Sequence, residues 1–129
     1  MRPRHFLALA ATLALAFACS CGSRPKTVPV TGKVVHKGKG LTAGSVWFHP
    51  DSDNAWQGEK PSCQLGLEGE FTMRTYPHGQ GVPPGAYKVT LSPDLASRIS
   101  RPAYADPKKS PLSVTVPDEG MADLVLDVK

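Results

Sequence analysis

Apolar residues recur at every second position in short segments along most of this chain, and this alternation limits its possible folds more than any other feature. Tyr87, Val89 and Leu91, for example, alternate with Lys88 and Thr90. A period of two places the apolar side chains on one face of an extended strand and the polar ones on the other. Outside the first 20 residues, no segment has a comparable 3.6-residue stripe, so the sequence predicts an all-β fold.

Seven segments between residues 28 and 129 show this pattern, and turns rich in glycine and proline separate them. The residues predicted to face the core are Val28, Val30 and Val34; Val46 and Phe48; Cys63, Leu65 and Leu67; Phe71 and Met73; Tyr87, Val89 and Leu91; Leu112, Val114 and Val116; and Leu124, Leu126 and Val128. The turn at residues 37–40 is expected to place the next strand antiparallel to the first. About seven short strands predict one two-sheet antiparallel sandwich over residues 28–129.

The first 20 residues have the organisation of a cleaved export signal. Arg2 and Arg4 give a positive start, and Phe6–Ala18 is an apolar run of thirteen residues. A permanent membrane-spanning helix needs about 20 apolar residues, so this run is too short to be one. A positive start, an apolar centre and small residues at the end are typical of a signal peptide.

The apolar run ends in Cys19-Ser20-Cys21 rather than in an Ala-x-Ala site. This resembles the lipobox of bacterial lipoproteins, in which the peptidase cuts before a cysteine whose thiol carries a diacylglycerol. The resemblance implies a lipid anchor on Cys21, with Cys19 as the alternative, and a tether at residues 21–27. Several acyl chains give stable anchoring, because each buried methylene contributes about 0.8 kcal/mol. A secreted protein with incidental cysteines is the alternative interpretation.

Charge argues against a nucleic-acid partner. The chain has 15 basic and 11 acidic residues, and Arg2 and Arg4 leave with the signal peptide. The remaining 13 basic residues are dispersed, with Lys108-Lys109 as the only adjacent pair. A nucleic-acid-binding domain needs a concentrated basic patch.

The mature chain resembles carboxypeptidase regulatory-like, or transthyretin-like, domains. The resemblance is carried in order by residues 30–34 (VTGKV), 44–50 (GSVWFHP), 69–72 (GEFT) and 83–91 (PPGAYKVTL). It implies a prealbumin-like sandwich with an accessory role. The turn at residues 66–69 lacks the aspartates that such domains often carry there, so no metal is implied at that position.

A lipid-anchored, non-catalytic binding or structural module of the cell envelope is therefore expected, facing the periplasm or the cell exterior. Its expected partners are the membrane and an envelope protein or polysaccharide, and no cofactor is expected. The alternative is a small-ligand carrier or a hydrolase with a pocket between the sheets. Hydroxyisourate hydrolases have this fold, but their histidine-rich signature and Tyr-Arg-Gly-Ser ending are absent here.

Few residues suggest chemistry. Trp56 lies in a polar loop and is the predicted partner contact, while Trp47, Tyr76 and Tyr104 are also expected outside the core. The alternative is that Trp56 covers the edge of the sandwich. Cys63 has no disulfide partner within the domain and is expected to be a buried thiol.

Two weaker possibilities concern metal ions. His36 and His49 flank the first predicted hairpin, where they would come close together without a known ligand spacing. The loop at residues 51–54 (DSDN) has alternating oxygen ligands but lacks the glycine and distal glutamate of an EF-hand.

Overall fold

A computed structural model describes residues 25–129 of the protein, which form eight strands and two short helical segments. The strands are β1 (Val30–His36), β2 (Lys39–Gly40), β3 (Ser45–Pro50), β4 (Ser62–Gln64), β5 (Glu70–Thr72), β6 (Gly85–Leu91), β7 (Ser113–Val116) and β8 (Met121–Val128). Helix α1 (Pro93–Arg98) and a 3₁₀ helix (Pro102–Ala105) lie between β6 and β7. The signal peptide and both candidate lipidation sites, Cys19 and Cys21, lie outside the described residues.

The strands form two sheets. In sheet I, β1 pairs with β2, β5 and β8, so every strand of that sheet is bonded to the first one. Sheet II has the order β4-β3-β6-β7, and all its neighbours are antiparallel. The protein is therefore all-β with two sheets, as the alternation predicts.

One hydrophobic core is shared by the two sheets. Val30 and Val34 of sheet I and Phe48, Tyr87 and Val89 of sheet II are all fully buried in the same cluster. The rings of Phe48 and Tyr87 lie 5.6 Å apart at a tilted angle, a favourable aromatic arrangement. The core faces of β1, β3 and β6 are those that the alternation predicts.

The prediction that all strands are antiparallel is wrong for the first and last strands, which pair in parallel. The reason is the turn at residues 117–120, which carries the chain from β7 in sheet II to β8 in sheet I. The chain reverses direction there, so β8 runs opposite to β7 and along β1. Sequence alternation gives the faces of each strand but carries no information on this crossover.

The first hairpin also differs from the prediction. Lys39–Gly40, predicted as part of a turn, forms the short strand β2 and takes the antiparallel position beside β1. The next long strand, β3, crosses to sheet II and pairs with β4 and β6. The structure therefore has eight strands rather than about seven.

Two side chains differ in exposure from what alternation predicts. Leu67 is 89% exposed, because β4 ends at Gln64 and the chain has entered a turn by residue 67. Thr90 was expected outside, yet it is buried, and its hydroxyl lies 2.7 Å from Nε2 of His49. A hydrogen bond of this kind allows a buried polar group to be stable.

Three loops surround the point where the chain enters the sandwich, and we call this region the entry end. It comprises residues 25–29, the loops at 51–61 and 73–84, and the turn at 117–120. Val28 exchanges two backbone hydrogen bonds with Val82, and the amide of Met121 donates to the carbonyl of Pro29. The chain is thus fixed to two of these loops before β1 begins.

A buried tyrosine holds the entry end to the core. The hydroxyl of Tyr87 donates a 2.5 Å hydrogen bond to the carbonyl of Pro83, four residues upstream. Burial raises the pKa of Tyr87 to about 12, so the phenol stays protonated and able to donate. This is the arrangement of a tyrosine corner. The burial of the Tyr87 ring confirms the prediction that this residue faces the core.

The neighbouring loop is fixed to the same corner by Asn54. Its side-chain amide donates to the carbonyl of Ala86 (2.8 Å), and its Oδ1 accepts from the amide of Trp56 (2.9 Å). Gly85 has a φ of 141°, and a Cβ there would lie 2.6 Å from the Asn54 Oδ1. Only glycine allows this close approach without displacing Asn54.

Replacing Tyr87 with phenylalanine leaves the carbonyl of Pro83 buried without its donor. We expect Tyr87→Phe to lower the free energy of unfolding by about 1–3 kcal/mol, the usual cost of a buried group that loses its partner. Urea unfolding followed by tryptophan fluorescence measures this change. Tyr76→Phe is the matched control, since that phenol is exposed and its loss should change stability by less than about 0.5 kcal/mol. Equal losses of unfolding free energy in the two variants would contradict a stabilising hydrogen bond from Tyr87 to Pro83.

Candidate functional site

An open groove of about 730 Å³ lies on the outer face of sheet I. Outward-facing residues of three neighbouring strands line it: Thr31 and Lys33 of β1, Glu70 and Thr72 of β5, and Asp123 and Val125 of β8. Cys63, Gln64 and the turn at residues 66–68 form its side wall. The groove lies outside the sandwich, whereas the space between the sheets is filled by the core.

One row of side chains crosses the floor of the groove. Lys33 pairs in register with Glu70 on one side and with Val125 on the other. Opposite charges at directly facing positions of neighbouring strands attract one another. Val125 is 61% exposed, which leaves an apolar surface beside this charged pair. The floor can therefore offer both apolar contact and hydrogen bonds to a ligand.

Glu70 also shapes the wall of the groove. Its carboxylate accepts a 2.9 Å hydrogen bond from the amide of Glu68, and its own backbone carbonyl accepts from Gly66. Hydrogen bonds from backbone amides, those of Glu70 and Glu68 first, lower the pKa of Glu70 and keep it ionised. Glu70 therefore closes the turn that borders the groove.

Trp56, the predicted partner contact, is half-buried. Its indole NH donates to the carbonyl of Glu59 (2.8 Å), and its ring meets His78 edge-on at 5.9 Å. It also packs against the core cluster. This placement agrees with the alternative that Trp56 covers the edge of the sandwich, and its role as a contact stays a prediction.

The other three aromatic residues expected outside the core have different environments. Tyr76 is 81% exposed and Trp47 is 39% exposed, whereas Tyr104 is buried. The expectation for Tyr104 is wrong because the 3₁₀ helix that carries it packs on the core, and its hydroxyl accepts from the amide of Lys129. Its position depends on the last strand, which lies far away in sequence.

Cys63 is half-buried on β4 rather than fully buried as expected. Its Sγ donates to the carbonyl of Gln64, and it lines both the groove and a smaller hollow near Tyr76. Burial raises the pKa of the thiol, despite small opposing effects from Thr72 and Arg74. A thiol with a raised pKa is a weak nucleophile at neutral pH.

The histidines considered as metal ligands are not brought together. His36 Nδ1 donates to the carbonyl of Val128 (3.0 Å) in sheet I, whereas His49 bonds Thr90 in sheet II. Burial, and the positive charge of Lys60, lower the pKa of His49. Within residues 25–129, no three His, Cys, Asp or Glu side chains cluster closely enough to hold a metal ion.

The loop at residues 51–54, considered for calcium, has a structural role in this fold. Asn54 bonds Ala86 and Trp56, and its own amide donates to the carbonyl of Asp51 (2.9 Å). One of the four candidate oxygen ligands, Asn54 Oδ1, is therefore already engaged by the backbone.

Among the described residues, no helix is both long enough and apolar enough to cross a bilayer.

Comparison with known proteins gave no match among family models, curated proteins or solved structures. The resemblances to bacterial lipoproteins and to carboxypeptidase regulatory-like domains therefore stay predictions from the sequence.

The groove itself was not predicted. Alternation correctly indicates that Lys33 and Thr72 face outward, but it does not show which strands are neighbours. The parallel pairing of β8 with β1 is what brings Val125 beside Lys33. The one local signal for this surface is Val125, an apolar residue at an outward-facing position of β8.

The raised pKa of Cys63 gives a direct test of the environment in the groove wall. We expect its rate of alkylation to increase with pH through a midpoint above that of an ordinary thiol, and urea unfolding should lower this midpoint. Maleimide labelling followed by peptide mass spectrometry measures the alkylation rate at residue 63 in the folded and in the urea-unfolded protein. Faster labelling of the folded than of the unfolded protein at neutral pH would contradict a desolvated, unactivated thiol.

Proposed function

We propose that the protein is a lipid-anchored, non-catalytic module of the cell envelope, and that the groove on sheet I binds another envelope component. The observation that carries this proposal is the continuity between the lipobox-like cysteines and β1. Val28, which is already paired within the domain, lies seven positions after Cys21. A chain with this organisation is retained at a surface and presents its folded part to partners outside the cytoplasm.

The groove suits an extended partner. Its floor combines the exposed apolar surface of Val125 with the oppositely charged side chains of Lys33 and Glu70. Small-ligand sites are usually enclosed and bury most of the ligand. An open groove of this composition favours a protein segment or a polysaccharide strand.

The alternative function, a carrier or hydrolase with a pocket between the sheets, has less support. Large side chains such as Phe48, Met73 and Tyr87 are fully buried where that pocket would lie. No observation on the described residues favours this alternative over the binding module.

Cysteine variants test the anchor. We expect Cys21→Ala to release the protein from the membrane fraction, because it removes the thiol proposed to carry the lipid. Cys19→Ala is the matched control and should leave the protein membrane-bound. Cell fractionation followed by detection of the chain measures the distribution. If Cys19→Ala releases the protein and Cys21→Ala does not, the lipid is on Cys19. If the variant that lacks both cysteines stays in the membrane fraction, lipid anchoring is contradicted.

Site-specific crosslinking in intact cells tests the groove. We expect a photo-crosslinking amino acid at position 125 to give a discrete adduct with an envelope protein or glycan. The matched control is position 115, an exposed outward-facing threonine on β7 of sheet II. If position 125 yields no adduct beyond those of position 115, the groove is not the binding surface.

A further inference from the structure

A second concave surface lies at the entry end, and its composition differs from that of the groove. It is a shallow hollow of about 530 Å³ lined by Ser62, Cys63, Arg74, Tyr76, Pro77 and Gly79. We call it the Arg74–Tyr76 hollow. It has no carboxylate in its lining, and the guanidinium of Arg74 makes no ion pair with any described residue.

Arg74 and Tyr76 are both exposed and line the hollow together. The residues between and before them, Thr75 and Met73, are buried. Arg74 exchanges backbone hydrogen bonds with Ser62 (2.9 and 3.1 Å), which fixes this segment beside β4. The hollow is thus a defined surface with an unpaired cation at one side and an exposed phenol at the other.

The chain enters the domain directly beside this hollow. Thr27 donates its hydroxyl to the carbonyl of Gln80, and Val28 pairs with Val82, both on the loop that carries Tyr76. Thr27 lies six positions after Cys21, and a fully extended chain of six residues spans at most about 20 Å. A lipid on Cys21 therefore holds this loop within about 20 Å of the bilayer surface.

The absence of carboxylates in its lining distinguishes the hollow from the other surfaces of the entry end. The adjacent loop carries Asp51, Asp53 and Glu59 against one cation, Lys60, and in the turn at residues 117–120 Glu119 lies beside Asp118, which pairs with Lys26 (3.8 Å). Carboxylates are repelled by lipid phosphates, whereas arginine binds phosphate oxygens with two parallel hydrogen bonds. Tyrosine is enriched at the level of lipid headgroups, where its ring and hydroxyl are both accommodated.

We propose that the Arg74–Tyr76 hollow rests on the bilayer that holds the anchor, with Arg74 bound to lipid phosphates and Tyr76 among the headgroups. This inference rests on the proposed lipid anchor. This contact orients the domain. The turn at residues 66–69 then points away from the membrane, and the groove on sheet I stays open to partners at the side of the domain.

Depth-dependent fluorescence quenching tests the orientation. The full chain, processed in cells and carrying Cys63→Ser, receives a single new thiol by Tyr76→Cys and an NBD label. Leu67→Cys is the matched control, because Leu67 is equally exposed but lies at the opposite end of the sandwich. In phosphatidylethanolamine–phosphatidylglycerol vesicles with a headgroup nitroxide, we expect at least twofold stronger quenching at position 76 than at position 67.

A charge reversal tests the contribution of arginine. Arg74→Glu should reduce quenching at position 76 to the level of position 67, whereas Lys39→Glu, at the far end, should leave it unchanged. Retention of the labelled protein on vesicles in high salt reports the anchor separately. Equal quenching at both positions in a retained protein overturns the orientation alone, and loss of retention overturns the anchor together with the orientation.

Discussion

The pairing of β1 with every other strand of sheet I is the constraint on which the rest of the structure depends. β5 and β2 bond one edge of this strand, and the last strand, β8, bonds the other in parallel. Sheet I therefore cannot be completed until the final residues of the chain have been made. Gly32 allows the close approach, since a Cβ there would lie 2.1 Å from the carbonyl oxygen of Leu124.

The same strand connects the core to the amino-terminal segment. Val30 and Val34 are fully buried, and Val28 is bonded to the loop at residues 73–84. The segment that precedes β1 is thus joined directly to the central strand of sheet I. The tyrosine corner and Asn54 fix the two other large loops of the entry end to the same body. In the proposed lipid-anchored protein, the entry end would be the end that faces the membrane.

The sequence predicts the faces of individual strands well and their neighbours poorly. The burial of Val46, Phe48, Tyr87 and Val89 follows from alternation alone, because a strand with one apolar face must place it on the core. The corner at Tyr87 was also predictable, since a phenol in a core strand needs a nearby backbone acceptor. Leu67 was misplaced because alternation cannot show where a strand ends.

Long-range contacts account for the remaining differences between the sequence predictions and the structure. Tyr104 is buried because its hydroxyl meets the backbone of Lys129, 25 residues later. The groove on sheet I exists because β8 lies beside β1, a relation between the two ends of the domain. The candidate contact Trp56 was chosen for lying in a polar loop, but its hydrogen bond to Glu59 and its packing against the core were not visible in the pattern.

The central claim is that acyl chains on an amino-terminal cysteine hold a folded β domain at a membrane. Intact-mass spectrometry of the protein extracted from membranes tests it most directly, because one spectrum reports both the first residue and the modification. The account predicts a chain that begins at Cys21 and carries the mass of a diacylglycerol and a further acyl group. A mature chain without any lipid mass would contradict it.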